Sequence, residues 1–299
     1  MSEEHGPKAL LENALLAEKA GFDFVSISDH FHPWLKSQGH SPFAWTVLGA
    51  IAQATSSVGI TTGLTSPIIR YHPAIVAQAA ATVALLSDNR FSLAIGAGER
   101  LNEHVTGARR PSISERHAML AEAIDIFRLL WSEGPRNYRG EHFVIDHAEL
   151  FDLPEKAIPV ILGVSGSESM ELARKKADGI MPTTPDPKLA KGFEKGPRHL
   201  EVALAYAASE RAGRELAHER FRFSVFDWSV NSELPTVEGF EAATHSVRPK
   251  DLAETIPAGP DSELHLKTIK KAIGAGFDHI VLTGIGPDQA GFTQFSPRN

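Results

Sequence analysis

The 299-residue chain contains no cysteine. That excludes disulfide bridges, thiolate nucleophiles, iron–sulfur ligation and cysteine-held zinc. It also lacks an excess of basic residues. With 37 Asp and Glu against 30 Lys and Arg, the formal charge is −7, which argues against a nucleic-acid-binding surface. No apolar run approaches the ~20 residues needed to cross a bilayer. The opening stretch, Met1 to Pro7, has neither the basic nor the apolar segment of a secretory leader. Low-complexity tracts and evident linkers are absent too. A cytoplasmic globular protein is expected, one domain over residues 1–299 with excursions near 138–152 and 230–254.

What is present is alternation. Short apolar runs predict strands at Phe22–Ser28, Val58–Leu64, Phe91–Ala97, Val160–Val164, Gly179–Pro182, Phe221–Trp228 and His279–Thr283. Amphipathic stretches predict helices at Pro7–Ala20, Pro42–Ala54, Pro73–Leu86, Ser112–Trp131, Glu168–Lys176, Arg198–Ala212 and Asp261–Ala275. Ser112 with Glu115 forms a capping pattern, and Gly21 and Gly276 each close a helix just before a strand. Strands alternating with helices imply a parallel sheet with helical crossovers. Seven strands and a start on a helix leave an open sheet and an eight-stranded barrel short of one strand as alternatives.

Chemistry-bearing residues cluster where strands end. The first strand exits into Asp29, His30, His32 and Trp34. A carboxylate beside a histidine can orient the ring and raise its basicity, as a general base requires. Glu99, at a strand end that carries Gly96 and Gly98, is a candidate acid facing His30 across a barrel mouth. The second strand leaves through Gly63, Leu64, Thr65 and Ser66, small enough for a flat group to approach the backbone. Gly163, Val164, Ser165 and Gly166 precede a helix whose first amides suit an anion, with Thr183 and Thr184 as further hydroxyls. His30 and His32 mimic the paired histidines of barrel metallohydrolases, but Glu99 is the only other ligand type at these exits, so no metal is expected. Most other histidines, His199, His218 and His265 among them, fall in helical patterns and read as solvated surface.

Six motifs recur in order: Ser28-Asp29-His30-Phe31-x-Pro33-Trp34, Arg70-Tyr71-His72-Pro73-Ala74, Gly98-Glu99-x-Leu101-Asn102-Glu103, Asp178-Gly179, Gly276-Phe277-Asp278-His279 and Gly286-Pro287-Asp288-Gln289. Together they resemble the luciferase-like oxidoreductases that use the deazaflavin coenzyme F420, in the branch related to F420-dependent glucose-6-phosphate dehydrogenase. The resemblance implies an α/β fold, a TIM (β/α)8 barrel of the bacterial luciferase-like type, usually dimeric. Against that pattern no segment supplies the first strand. It further implies that Asp29 contacts the deazaflavin, that His30 is the base or acid, that Trp34 lines the pocket and that Glu99 is the proton partner near the cofactor ring. Gly63-Leu64 matches a non-prolyl cis peptide behind the ring. Ser66, Gly98, Asn102, Gly163, Val164, Ser165, Gly166 and Thr183 match cofactor-contacting positions.

One departure bears on substrate. Where glucose-6-phosphate members place basic side chains, this chain has Asp186 and the neighbourhood of Glu254 and Thr255, with Lys188 and Lys250 off register. A dianion facing an unpaired carboxylate is disfavoured. The expected substrate is therefore another alcohol, a carbonyl compound or an enone. The alternatives are an FMN-dependent monooxygenase of the same superfamily and a non-catalytic flavin-binding protein.

Overall fold

Five parallel strands run in the order β1 (Phe24–Ile27), β2 (Gly59–Thr62), β3 (Phe91–Ile95), β6 (Val160–Val164) and β7 (Gly179–Pro182) in the computed structural model, which describes residues 1–182 and 184–294. A bridge from Ile180 to Arg198 carries the sheet on to β8 (His199–Leu204), which pairs in parallel with β9 (His279–Gly284). The seven strands curl into a barrel. The ring of Phe24 on β1 lies 5.6 Å from that of His199 on β8 and 6.1 Å from that of His279 on β9. The helices α1 (Pro7–Lys19), α2 (Ala44–Ala54), α3 (Pro73–Leu86), α4 (Arg100–Glu103), α5 (Ile113–Leu130), α6 (Ser167–Lys176), α7 (Pro187–Lys191) and α8 (Glu210–Phe221) follow in turn. Then come α9 (Trp228–Asn231), α10 (Val237–Ala243), α11 (Ser262–Gly274) and α12 (Gln289–Gln294). An antiparallel hairpin, β4 (Arg136–Arg139) with β5 (Val144–Ala148), forms a separate two-stranded sheet, with Phe143 and Ile145 buried in the core.

The core follows from the sequence pattern. The inner strands β2, β3, β6 and β7 are almost wholly buried, as strands covered on both faces should be. Alanine-rich α3 packs closely through Ala77, Ala80, Ala81 and Ala84, all at most 1% exposed. Helix ends obey local chemistry: Pro73 opens α3, Ser112 accepts from Glu115 N at the start of α5, and Asp261 accepts from Glu263 N at the start of α11.

Two stretches depart from expectation. Residues 199–204 form a strand, not part of a helix from Arg198 to Ala212. Leu200, Val202 and Leu204 are buried at period two, and the helix begins only at Glu210, capped by Ser209. Residues 221–228 run from the last residue of α8 through a 3-10 turn to the first residue of α9, and form no strand. Their alternating aromatics serve a different purpose: Phe221 and Phe223 pack into an apolar cluster with Trp34 and Phe240. His199 and His265 are correspondingly buried, not solvated, and the His265 ring meets Gly259 O at 2.8 Å.

β1 and β9 are not paired with each other. The chain enters α1 through a 3-10 turn, Ser2–Glu4, that crosses the seam at the strands' C-terminal ends. The Met1 ammonium donates to Gly284 O (2.9 Å), and Ser28 N donates to Ser2 Oγ (3.1 Å). Below that turn a cavity of about 190 Å³ separates the two strand edges. The turn brings Glu3 and Glu4, both buried, to the barrel mouth.

Candidate active site

In a barrel of parallel strands every strand exit faces the same rim, which is where such folds place their chemistry. The β1 exit is the most heavily braced. Asp29 accepts at Oδ2 from Thr65 Oγ1 (2.9 Å) and at Oδ1 from Arg70 Nη2 (2.8 Å) and Tyr71 Oη (2.9 Å). Both carboxylate oxygens are committed, and Arg70 also donates to Asp29 O. Past it, Phe31 N and His32 N donate to Asn102 Oδ1 (2.7 and 2.9 Å), while Trp34 N and Leu35 N donate to Gln38 Oε1. Ser41 Oγ donates to His30 O (2.9 Å). This loop has no regular secondary structure, and side chains supply its partners instead.

The bracing aims one imidazole. His30 Nδ1 lies 2.8 Å from Glu3 Oε1, and His30 Nε2 lies 3.1 Å from Glu99 Oε1. The ring's exposure is 9%, that of Glu3 2% and that of Glu99 13%. Burial pulls the ring down, but the Glu3 charge and contact, with Glu99 adding, outweigh it and lift His30 to about 10. The ring is thus an imidazolium at neutral pH. Burial pushes the two carboxylates up, yet the imidazolium holds both below their ordinary value. Asn102 Nδ2 donates to Glu99 Oε1 (2.6 Å), so one amide ties Glu99 to the His30 loop. Trp34 meets the His30 ring edge-on at 5.1 Å and stacks on Phe223 at 4.8 Å. His32 turns away, with Nδ1 3.1 Å from Leu101 O and its ring stacked on His104.

The floor beside these groups is built from glycine and one leucine. The Gly63–Leu64 peptide is cis. Leu64 lies with Ala94, Ile161 and Met181 inside the barrel, between Gly96 and Gly163. A Cβ on Gly163 would sit 2.5 Å from Leu64 Cδ1, and one on Gly96 3.0 Å away. Gly163→Ala should therefore lower stability by about 1–3 kcal/mol through overpacking, read as a fall in Tm on thermal unfolding. An unchanged Tm would mean that Leu64 swings aside freely.

The remaining sequence candidates divide by exposure. Ser165 and Gly166 are exposed ahead of α6, and both their amides donate to Ser169 Oγ (3.1 and 3.2 Å). Val164 is buried, which leaves only its backbone to face a ligand. Ser66 Oγ donates to Glu103 Oε1. Gly98 has φ +73°, and a Cβ there would collide with the Glu103 carboxylate, so glycine is required on both counts. Thr183 lies outside the described residues. His30, Glu99, Trp34, Asp29, Asn102 and the Gly63–Leu64 peptide gather at one rim. Sequence reasoning missed Glu3, Glu103 and the Arg70–Asp29 pair. Arg70 and Glu103 stood inside quoted motifs without a role, and Glu3 carries no local signal.

Comparison with known proteins adds relatives. The family model described as luciferase-like monooxygenase matches residues 1–227. The F420-dependent glucose-6-phosphate dehydrogenase of Amycolatopsis mediterranei (strain U-32) is 33% identical over 99% of this chain and 94% of its own length. That of Kribbella flavida (strain DSM 17836 / JCM 10339 / NBRC 14399) is 34% identical over 99% and 94%. Among solved structures, an F420-dependent secondary alcohol dehydrogenase in complex with an F420-acetone adduct aligns with a TM-score of 0.90 at 29% identity, covering 98% of this chain and 95% of that one. An F420-dependent tetrahydromethanopterin reductase from Methanopyrus kandleri shares the fold, with a TM-score of 0.78 at 19% identity over 98% and 94%.

Proposed function

The chain belongs to the luciferase-like monooxygenase family, and on that premise we propose that it is an F420-dependent oxidoreductase acting on a small uncharged alcohol or the matching carbonyl compound. The observation that carries the reading is the His30 imidazole held between the Glu3 and Glu99 carboxylates beside the Leu64 floor. The site suits a planar ring. Gly96 and Gly163 leave no side chain over Leu64, and a Cβ at either would intrude on it. Leu64, Ser66, Gly98 and the exposed Ser165–Gly166 turn would hold the cofactor. When bound, the deazaflavin supplies hydride acceptance and donation.

The chain's own residues govern the proton. As an imidazolium, His30 donates to the oxygen of a carbonyl substrate. Once it has lost that proton to solvent, the neutral ring accepts from a substrate hydroxyl. Glu99, oriented by Asn102, manages the proton balance on the cofactor side. Trp34 and Phe223 wall the site and exclude water.

The wall also supports the substrate reading. The segment covering His30 presents Phe221, Phe223, Phe240, Leu252 and Ile256 around Trp34. Its arginines are already paired, Arg222 with Glu241 and Arg248 with Asp251. An apolar wall whose arginines are already paired suits an uncharged substrate better than a sugar phosphate. A homodimer belongs to this reading, supported by Phe43 and Ile75, which leave apolar surface 54% and 58% exposed. Among the described residues no helix is long and apolar enough to cross a membrane.

Fluorescence titration with F420 and with FMN tests the cofactor, and F420 reduction by isopropanol against glucose-6-phosphate tests the substrate. Tighter binding of F420 and faster turnover of the alcohol are expected. Tighter FMN binding with substrate-dependent oxygen uptake would replace this reading with a monooxygenase. Faster turnover of the sugar phosphate would overturn the substrate class.

A further inference from the structure

A buried carboxylate that plays no part in the proton chemistry above sits directly behind the cofactor pocket. Glu103 closes the short helix α4 and is 2% exposed. One of its oxygens accepts from Ser66 Oγ on the loop after β2. The other accepts from Arg110 Nη1 at 2.8 Å. Arg110 Nη2 donates in turn to Gly98 O (3.2 Å), Ser232 O (2.9 Å) and Glu233 Oε1 (3.1 Å). Arg100 N, at the start of α4, also donates to Ser232 O (2.8 Å). The carboxylate fits only because residue 98 has no side chain. Three separate rim segments therefore meet on this one group: the Ser66 loop, the Gly98–Glu99 turn and the chain after α9.

We propose that Glu103 is a positioning residue of the cofactor pocket, fixing the Ser66 hydroxyl and, through Arg110, fastening the Gly98–Glu99 turn to the Ser232–Glu233 segment. The inference rests on the deazaflavin reading. It assigns no contact between Glu103 and the cofactor. When ionised, Glu103 takes the Ser66 proton inward, so the hydroxyl turns its lone pairs toward the pocket, where they can accept from the N–H of a pyrimidinedione ring. When protonated, it no longer serves both partners as an acceptor, and Ser66 and Arg110 are released from their fixed geometry.

The charge state of the tie lies within reach of ordinary pH. Burial pushes the Glu103 carboxyl up, against the Ser66 hydrogen bond; Glu99 pushes it further up, while Arg110 and Arg116 pull it down, and it settles at about 7. These groups, with Glu233 bridging the two arginines, are the charges around it. Ionised Glu103 is thus the form above about 7, and a neutral acid is the form below it.

Glu103→Gln mimics the neutral form at every pH, because an amide keeps the shape but has one acceptor where the carboxylate has two. The test is the ratio of F420 Kd values, variant over wild type, from fluorescence titration across pH; the ratio cancels titration of the ligand itself. It should be near one at about pH 6 and rise to about tenfold at about pH 8.5, the size of a lost charge-assisted hydrogen bond. A ratio independent of pH, or one near unity throughout, overturns the proposal. If Glu103→Gln fails to fold, Ser66→Ala removes the other end of the tie, and an Ala variant that binds F420 with the wild-type pH dependence overturns it equally. Should wild type bind FMN and not F420, the cofactor reading fails by itself, and the same ratio measured with FMN still decides the role of Glu103.

Discussion

His30→Ala is expected to reduce kcat about 10²- to 10⁴-fold, the usual contribution of a positioned general acid or base, while F420 affinity stays within about threefold. The split between turnover and binding is the informative part. His30 is placed by its neighbours to move a proton, whereas the ring-supporting surface belongs to Leu64 and the glycines. Removing the imidazolium leaves Glu3 and Glu99 facing each other without a counter-charge. Both will take up protons or draw in water, and loss of one partner from a buried ion pair costs about 3–5 kcal/mol. Tm should accordingly fall, and turnover must be compared at a temperature where both proteins are folded. A variant that loses F420 binding and turnover in equal measure would show that His30 holds the cofactor and does not act on the substrate.

Glu3→Gln should move the pH profile of turnover to lower pH by about 1–3 units, the shift that removal of one close opposite charge produces. The direction follows from His30 at about 10. Oxidation of an alcohol needs the neutral ring, so its rate should climb with pH toward about 10 in wild type. Reduction of a carbonyl needs the imidazolium, so its rate should be highest at low pH and fall through the same range. Without the Glu3 charge the ring loses its proton more readily, and both limbs move down together. Measuring kcat/KM against pH in the two directions checks this. Limbs that stay where wild type has them would mean that Glu3 does not set the protonation of His30. Glu99→Gln serves as the companion, since the contact on Nε2 adds to the same lift.

The two variants separate roles that the two carboxylates otherwise share. Glu3 approaches Nδ1 from the turn before α1, on the closed side of the ring. Glu99 approaches Nε2 from the loop after β3, where Asn102 holds it and where the glycine-lined floor begins. Loss of Glu3 should therefore act on the protonation of His30 alone. Loss of Glu99 should disturb both protonation and cofactor affinity. A KM for F420 that rises in Glu99→Gln but not in Glu3→Gln would follow from that difference.

Much of this protein was readable from local pattern. Helix starts at Pro7, Pro73, Ser112 and Asp261 were legible because capping and proline geometry depend on residues within one turn. The strands at Phe91–Ile95 and Val160–Val164 were legible because buried runs of that length between breakers have few other uses. Asp29, His30, Trp34 and Glu99 stood out because polar and aromatic residues at a strand exit are hard to explain by packing. The errors also have local causes. Residues 199–208 mix period-two burial with four alanines, and composition outweighed periodicity in reading them as helix. Residues 221–228 alternate aromatics as a strand does, but those rings cover Trp34 and build no sheet.

What local pattern could not reach is who faces whom. Asn102 meets Phe31 across 71 residues, and Arg70 meets Asp29 across 41. Glu3 reads as one of two ordinary acidic residues near the chain start, until the turn across the open seam buries it against His30. Pattern along a chain reports propensity and burial over a few residues, so it reveals strands, caps and the residue types at their ends. The protonation of His30, the commitment of Asp29 and the tie through Glu103 depend on distances between strand exits. Those distances exist only once parallel strands lie side by side and bring their ends to one rim.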